Sequence, residues 1–300
     1  ADLRAVRGVL CHGSDHGCNL LSPRMIPITD PADPRLDVVR DLKKADNSRA
    51  YVFGEGPLVA GRVVDSRYPL RCIIGFEKKV DTFRTQRAEE GLPPIEAPIY
   101  TVTRELLAEV VGYDMHRGLI AVADRAGEPD VGELLDARTL VVLEGVGDHE
   151  NIGAIFRNAA GMGVGGVLLG SGTADPLYRR SVRVSMGHVL RLPFAHLDGT
   201  STTWQRSLEQ LRQAGFRLIS LTPDDRAVHL AEALVDAAGK PWPKVALLVG
   251  GEGPGLTEHA MRATDIRARI PMAPGTDSLN VATSAAIAFY ERDRGIVGLS

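Results

Sequence analysis

The sequence has few cysteines, few aromatic residues and no long apolar run. Its three cysteines, Cys11, Cys18 and Cys72, are too few and too irregularly spaced for a disulfide framework, which favours a reducing environment. No apolar run reaches the roughly 18 to 20 residues that a membrane helix requires. The first residues also lack the continuous apolar segment of a secretory signal. We therefore expect a cytoplasmic protein with no membrane partner.

The chain also lacks a strong charge of either sign. Its 35 lysines and arginines stand against 38 acidic residues, for a formal net charge of -3. The overall charge therefore gives no reason to expect nucleic-acid binding, and any basic surface must be local. With 44% hydrophobic residues, the 300-residue chain is long enough for one large or two medium globular domains, and we expect two.

We interpret residues 1–24 as an N-terminal extension, disordered or foreign to the natural chain, because the sequence from Met25 onward resembles a natural start. Two cysteines and two histidines in this extension have a spacing that fits no standard zinc finger or ribbon: Cys11, His12, His16 and Cys18. We expect no metal site.

The rest of the chain has the pattern of an α/β protein. In residues 25–130, a short apolar strand, an amphipathic helix and a second strand around Ile73 and Ile74 predict a small domain. The segment "RAGEPDVGELLDART" predicts a linker. In residues 138–300, buried-strand candidates alternate with helical stretches such as "STTWQRSLEQLRQAG", which we expect to end at Gly215. This alternation predicts a mostly parallel sheet covered on both faces.

The segment "NIGAIFRNAAGMGVGGVLLG" has Gly161, Gly163 and Gly166 in the spacing of a dinucleotide-binding turn. A dinucleotide turn follows a strand and opens a helix, because the helix N-terminus binds the pyrophosphate. Here the glycines follow a helical pattern and precede a strand. They are therefore interpreted as helix-ending and close-packing residues, and a dehydrogenase function is set aside.

Three other segments carry polar residues that favour a binding site. Asn151 follows the strand "TLVVLEGV", and we expect it in the loop before a helix that presents Arg157. Glu252 lies in "LLVGGEGPGLTEHA", where glycines allow the backbone to approach a ligand closely. The third segment, residues 268–291, predicts a strand, a loop and a helix that begins near Ser278.

Together, "NIGAIFR", "GGEGPGL" and "IPM" with "DSLNVATSAAIAFYE" resemble the SpoU (TrmH-type) branch of the SPOUT RNA methyltransferases. The resemblance covers about residues 138–300. It implies an α/β catalytic domain with a deep trefoil knot, one of the rare exceptions to the rule against threaded loops. Residues 25–130 are similar, more weakly, to the small ribosomal-protein-like α/β domain with which many members bind RNA.

The resemblance also implies a function, S-adenosylmethionine-dependent methylation of a ribose 2′-hydroxyl in structured rRNA or tRNA, by a homodimer formed through the knotted domain. It implies these catalytic residues: Arg157, Asn151, Glu252, Ser278 and Asn280. It implies these cofactor-binding residues: Gly250, Ile270, Leu279, Val249, Gly251 and Met272.

RNA contacts are predicted less directly. In "PLYRRSVRVSMGH", a local basic patch for phosphates is expected from Arg179, Arg180 and Arg183, although a solvated basic helix has the same pattern. In the N-terminal domain the candidates are Arg117, Arg62 and Arg49.

The sequence departs from the family pattern at one place, and a second function stays open. Family members often have a proline shortly before the first asparagine, where this chain has His149 and Glu150. The second function considered is a knotted RNA-binding or assembly factor with weak or no methyltransferase activity.

Overall fold

The structure, a computed structural model, describes residues 24–42 and 49–297. The interpretation of residues 1–24 as an extension, and the cysteine and histidine group within it, fall outside the described residues except for Arg24. Within the described residues, no helix is both long enough and apolar enough to span a membrane.

The N-terminal part forms a five-stranded mixed sheet with the order β1-β4-β3-β5-β2. Strands β1, β4 and β3 are parallel, whereas β5 is antiparallel to both β3 and β2. Its strands are β1 (Met25–Pro27), β2 (Tyr51–Glu55), β3 (Leu70–Gly75), β4 (Ile99–Thr101) and β5 (Leu119–Asp124). Its helices are α1 (Pro57–Val64), α2 (Glu77–Glu89) and α3 (Arg104–Val111), with a 3₁₀ helix over Pro34–Val39.

Local sequence explains where these helices begin and end. Pro57 opens α1, a position where its missing N–H is harmless. The Thr103 side chain caps α3 by accepting a hydrogen bond from the Leu106 N–H, and Gly112 ends that helix in the left-handed conformation.

The C-terminal part forms a seven-stranded, all-parallel sheet with the order β10-β12-β9-β11-β6-β7-β8. Its strands are β6 (Thr139–Glu144), β7 (Gly166–Leu169), β8 (Phe194–His196), β9 (Phe216–Leu221), β10 (Val228–His229), β11 (Lys244–Gly250) and β12 (Ile266–Arg269). Every residue of β6 is buried, as expected for a central strand covered on both faces. The predicted fold class, a parallel α/β domain preceded by a smaller α/β domain, is confirmed.

Helices cover both faces of this sheet. They are α4 (Val131–Leu134), α5 (His149–Gly161), α6 (Arg179–Val184), α7 (Leu208–Gln213), α8 (Leu230–Ala233), α9 (Glu258–Arg262) and α10 (Val281–Val297). The segment predicted as one helix before Gly215 begins as a 3₁₀ helix, Trp204–Ser207, and continues as α7. The predicted linker contains α4, whose Leu134 is buried against Gly166 of β7, so this segment is a packed part of the domain.

The glycines of the apparent dinucleotide pattern have the expected structural roles. Gly161 is the last residue of α5, and Gly163 has a left-handed φ of 70° just after the helix. At Gly166, an added Cβ would lie 2.6 Å from Leu134 Cδ2. The helix therefore precedes the strand, and these glycines end the former and allow the latter to pack closely.

The two parts pack against each other directly. Residues of α1, including Val59 and Val63, belong to the same apolar cluster as Val182 of α6. Arg125 at the end of the N-terminal sheet forms an ion pair of 2.6 Å with Asp175 of the C-terminal part. The N-terminal domain is thereby fixed next to α6, which packs against β2, and next to the 3₁₀ helix after α6 (His188–Leu190), which packs against α1.

Candidate active site

Loops at the carboxyl ends of β9, β11 and β12 line a cavity of about 480 Å³. In parallel α/β sheets, ligands bind at this edge because the loops that follow neighbouring strands converge there. All six predicted cofactor residues line the cavity, and so do three predicted catalytic residues, Glu252, Ser278 and Asn280. Contact of these residues with a cofactor stays a prediction.

Two glycines shape the loop after β11. A Cβ added at Gly250 would overlap the backbone of Gly255 and Leu256, and one added at Gly251 would overlap the carbonyl of Gly145. The Gly251 N–H donates to the Glu144 carbonyl at 2.8 Å. The loop can therefore fold back on itself and against the end of β6 only because these positions have no side chain.

The Glu144 carboxylate anchors this loop from behind. It is 5% exposed and accepts hydrogen bonds from Trp204 Nε1 at 2.9 Å, the Thr257 N–H at 2.8 Å and Thr257 Oγ1 at 2.9 Å. These bonds satisfy a buried carboxylate and hold the far end of the loop, since Thr257 is also the N-cap of α9. Sequence reasoning missed Glu144 because its position at the end of an apolar strand carried no motif.

Three predicted catalytic side chains form one hydrogen-bonded group, which we call the amide–carboxylate triad: Asn151, Glu252 and Asn280. Asn151 Nδ2 donates to Glu252 Oε1 at 2.8 Å. Asn280 Nδ2 donates to Asn151 Oδ1 at 2.9 Å and lies 3.3 Å from Glu252 Oε1, which also accepts from it. The triad connects α5, the loop after β11 and the start of α10 at the edge of the cavity.

The helices that carry the triad begin at different residues from those expected. Asp148 caps α5 by accepting from the Glu150 N–H, so Asn151 lies within the first turn of the helix and not in the preceding loop. The last helix begins at Val281 and not near Ser278, because Asn280 Oδ1 accepts from the N–H groups of Ala282 and Thr283. Asn280 thus caps α10 with its oxygen and joins the triad with its nitrogen.

Comparisons with known proteins identify the family of the chain. Residues 138–290 match the family model of the SpoU rRNA Methylase family. An uncharacterized tRNA/rRNA methyltransferase of Mycobacterium tuberculosis, Rv0881, is 46% identical over 274 residues, which cover 89% of this chain and 91% of the relative. The chain belongs to the SpoU rRNA methylase family. The sequence-based family prediction and the class of enzyme, a methyltransferase, are confirmed.

Solved structures share the fold of this SpoU chain over most of its length. A crystal structure of an RNA 2′-O ribose methyltransferase has a TM-score of 0.67 and 26% identity and covers 91% of this chain and 100% of its own. A Sinorhizobium meliloti rRNA methyltransferase, solved with AdoMet bound, has a TM-score of 0.71 at 23% identity, covers 90% of this chain and 98% of its own, and shows the same fold.

Arg157, the fifth predicted catalytic residue of the SpoU pattern, does not join the others. It is exposed on α5 and does not line the cavity. It lies one turn after Gly153, where an added Cβ would be 2.7 Å from Val184 Cβ of α6. Residues four apart share a helix face, so Arg157 faces the end of α6 and the turn that follows it.

The three arginines predicted to bind RNA have separate environments. Arg179 lies 3.3 Å from Glu55 Oε1 and donates to the Tyr113 hydroxyl at 2.8 Å, so this mostly buried side chain joins the two domains. Arg180 forms an ion pair with Glu150 of α5. Arg183 is exposed, and its side chain forms no ion pair with the described residues. Arg179 is therefore occupied by protein groups, and of the three only Arg183 is unpaired.

Burial and neighbouring charges affect two groups beside Arg157. The pKa of Arg62 is lowered by burial, then by Arg191 and Arg157. The pKa of His188 is lowered by burial, then by Arg62, Arg191 and Arg157. We call Arg62, Arg157, His188 and Arg191 the basic cluster. Arg62 was predicted from the sequence as an RNA contact. His188 and Arg191 were not, because neither belongs to a recognisable motif or a run of basic residues.

The other two arginines of the N-terminal domain that were predicted to contact RNA do not belong to the basic cluster. Arg117 packs on Gly56 and donates to the Glu55 carbonyl at 3.3 Å. Arg49 is exposed.

Proposed function

We propose that this protein transfers the methyl group of S-adenosylmethionine to a ribose 2′-hydroxyl of structured RNA, rRNA or tRNA, in the cytoplasm. The observation that carries the proposal is the amide–carboxylate triad at the edge of the cavity, because it joins residues of all three family segments. The names of the relatives, a tRNA/rRNA methyltransferase and an RNA 2′-O ribose methyltransferase, support the acceptor.

The cavity fits S-adenosylmethionine. Its volume lies in the range of about 300–1,000 Å³ that is typical of small-molecule sites. Backbone groups of Gly250, Ile270 and Leu279 can read the adenine edge, and the aliphatic Val249 and Met272 can cover its faces. The close-packed glycines leave backbone, and no side chain, at the floor of the cavity. The sulfonium of the bound cofactor supplies a methyl group that is already activated for transfer.

The residues of the chain then have to align the acceptor and help remove its proton. We assign the triad and Ser278 to the support of the acceptor site, and Arg157 to the orientation of the hydroxyl and an adjacent phosphate. Guanidinium has a pKa above about 12, so the planar, bidentate fork of arginine explains such a role better than proton abstraction.

The test of the proposed function is transfer of a tritiated methyl group to total RNA fractionated by size, followed by mapping of the labelled nucleotide. We expect label in one rRNA or tRNA position, in a linkage that resists alkali because the 2′-hydroxyl is blocked. Binding of S-adenosylmethionine in calorimetry without label in any RNA would instead indicate an unusual acceptor, whereas poor cofactor binding without label would support the second candidate, an RNA-binding or assembly factor. Absence of cofactor binding would contradict the assignment of the cavity.

Replacement of Arg157 tests its assignment. Arg157→Ala should reduce turnover by about 10²–10⁴-fold, the range for a positioned group in proton transfer or alignment, and leave cofactor binding unchanged. Arg157→Lys should recover little activity, because lysine lacks the planar fork. Near wild-type turnover of Arg157→Lys, measured by the same methyl transfer, would contradict the orienting role.

We also propose that the active enzyme is a homodimer formed through the knotted domain, in which the loops of residues 250–257 and 270–280 form the trefoil knot. Tyr290 and Ile287 on α10 are apolar groups with exposed fractions of 59% and 36%, a feature typical of interaction surfaces. Helix α10 packs along α5, the helix of Arg157. Since Arg157 does not line the cavity of its own chain, a second copy offers a way to bring an arginine to it.

Mixed dimers test this arrangement. Arg157→Ala and Glu252→Ala chains should each form inactive homodimers. If each site combines the arginine of one copy with the cavity of the other, random mixing should restore about one quarter of the wild-type number of sites, because half of the dimers contain one intact site. No recovered activity, in dimers verified by light scattering, would show that each site belongs to one chain.

A further inference from the structure

We propose that the basic cluster of Arg62, Arg157, His188 and Arg191 is a phosphate-binding site assembled by both domains, and that it holds a backbone phosphate of the substrate RNA. The assignment to RNA rests on the proposed function. It gives the N-terminal domain a direct part in the catalytic domain's substrate site.

Arg62 crosses the boundary between the domains. It belongs to α1 of the N-terminal domain, and its Nη1 donates to the Met186 carbonyl at 2.6 Å. Its aliphatic part packs beside Gly187, where an added Cβ would lie 3.1 Å from Arg62 Cδ. The guanidinium is therefore held at the turn between α6 and the next 3₁₀ helix, His188–Leu190.

The turn that Arg62 contacts is strained and tightly held. Met186 has a φ of 55°, which is unusual for a residue other than glycine, and Gly187 follows with a φ of 84°. The fully buried Ser185 hydroxyl donates to the Val182 carbonyl at 3.0 Å and accepts from the Gly187 N–H at 3.2 Å. A residue other than glycine is held in this left-handed conformation only by its surroundings, and such residues are common where a site needs a fixed shape. This turn positions His188.

Among residues 24–42 and 49–297, the cluster has no acidic partner. Neither the lowered pKa of Arg62 nor that of His188 is counteracted by a carboxylate. The side chains of Arg157 and Arg191 form no ion pair with the described residues, in contrast to Arg104, Arg125 and many other arginines of the chain. Like charges held together in this way repel each other, and a bound dianion or monoanion would relieve the repulsion.

Phosphate suits this arrangement better than a carboxylate. Three guanidinium groups on three different elements offer planar donor pairs, which match the several oxygens of a phosphate. RNA supplies phosphates in a regular row, and Arg157 belongs to the same helix as Asn151 of the triad. An RNA strand held at the cluster thus lies beside the element that leads to the cavity, either its own or that of a second copy.

Inorganic phosphate is the first probe, since it tests the cluster without a methylation assay. Titration should produce saturable changes in the arginine Nε–Hε signals and raise the pKa of His188, measured by NMR. Arg191→Gln should weaken the binding severalfold. This variant removes charge without removing a structural contact, because the Arg191 side chain has no partner in the described residues. Absence of a saturable change, or equal binding by Arg191→Gln, would overturn the site.

RNA is the second probe. The substrate is the RNA that the wild-type enzyme labels in the methylation test. Relative to the wild type, Arg191→Gln should raise the KM for this RNA severalfold and leave kcat unchanged. For this variant, the plot of log affinity for RNA against log salt concentration should be less steep by about 0.7–0.9, because one phosphate contact contributes about that much to the slope. The matched control is Arg206→Gln, an exposed arginine of the same domain outside the cluster. Equal KM and equal salt dependence of the two variants would overturn the RNA assignment.

The outcomes separate this inference from the proposed function. Methylation by the wild type together with an unaffected Arg191→Gln variant would remove the cluster from the substrate site and leave the function standing. Phosphate binding at the cluster without methylation of any RNA would support the phosphate site and contradict the proposed function. Competition with poly-glutamate decides the class of ligand: displacement of phosphate by the acidic peptide at lower concentrations than by RNA would overturn the RNA assignment in favour of an acidic protein.

Discussion

The cofactor cavity and the basic cluster recognise ligands by opposite means. The cavity is built within one domain, mainly from loop backbone and aliphatic side chains, and its carboxylate, Glu252, is satisfied by Asn151 and Asn280. The basic cluster joins two domains and consists of cationic side chains without a carboxylate partner. The difference fits our two proposals, in which shape selects the small cofactor and charge holds the large, polyanionic substrate.

This contrast predicts that each region can be damaged without the other. Variants that fill or loosen the cavity should abolish cofactor binding at unchanged phosphate binding. Variants that alter charge in the cluster should have the reverse effect, with smaller consequences for folding.

Among variants that separate the two regions, the largest expected effect follows from Gly251→Ala. The new methyl group would overlap the Gly145 carbonyl, and overpacking of this kind costs about 1–3 kcal/mol. We expect about 10- to 100-fold weaker binding of S-adenosylmethionine in calorimetry, at 1.4 kcal/mol per tenfold. The control is Gly147→Ala, since a Cβ there has no neighbour within 4 Å and its φ lies outside the left-handed region. Equal affinities of the two variants would contradict the close packing of the loop.

The next effect, on stability, is expected from Glu144→Gln. The carboxylate accepts hydrogen bonds with both oxygens, so the glutamine –NH₂ group would have to face a donor of Trp204 or Thr257. A buried, unsatisfied donor costs about 1–3 kcal/mol, and the free energy of unfolding in urea should fall by this amount. The affinity for phosphate should not change. An unchanged stability would mean that Glu144 does not anchor the loop.

The smallest effect concerns pH and the basic cluster. Because the pKa of His188 in the folded protein lies below its ordinary value of 6.5, unfolding takes up a proton between these two values. The His188 contribution to stability is therefore complete above pH 6.5, decreases as the pH falls, and stops changing below the folded pKa. Arg191→Gln should raise the pKa of His188 toward its ordinary value and so narrow the pH range over which His188 changes the stability. NMR titration of His188 measures this pKa. An unchanged pKa would separate Arg191 from the cluster.

The location of most site residues was predictable from sequence, but the bounds of the elements that carry them were not. Six cofactor residues and three catalytic residues were expected in glycine-rich or turn-rich loops after strands, and all line one cavity. The predicted starts of α5 and α10 were wrong, because a helix begins after the residue whose side chain accepts a hydrogen bond from a free backbone N–H group of the first turn. Asp148 and Asn280 do so, whereas the sequence had pointed to Asn151 and Ser278.

Roles that depend on distant partners were not visible in the sequence. Arg179 has the residue type of a phosphate contact, yet Glu55 and Tyr113 of the other domain occupy it. Glu144 resembles an ordinary strand end, although its partners Trp204 and Thr257 lie 60 and 113 residues further along the chain. No local pattern encodes contacts between such separated positions.

The sequence by itself determined the α/β class, the family and the residues of the cavity, because strand and helix periodicity and short loop motifs are local properties of the chain. Only the tertiary structure decided that Arg157 stands apart from the triad and joins Arg62, His188 and Arg191. The physical reason is that electrostatic environment depends on distance in space, and the packing of α1 against the turn at Met186 and Gly187 brings together basic side chains from three separate segments.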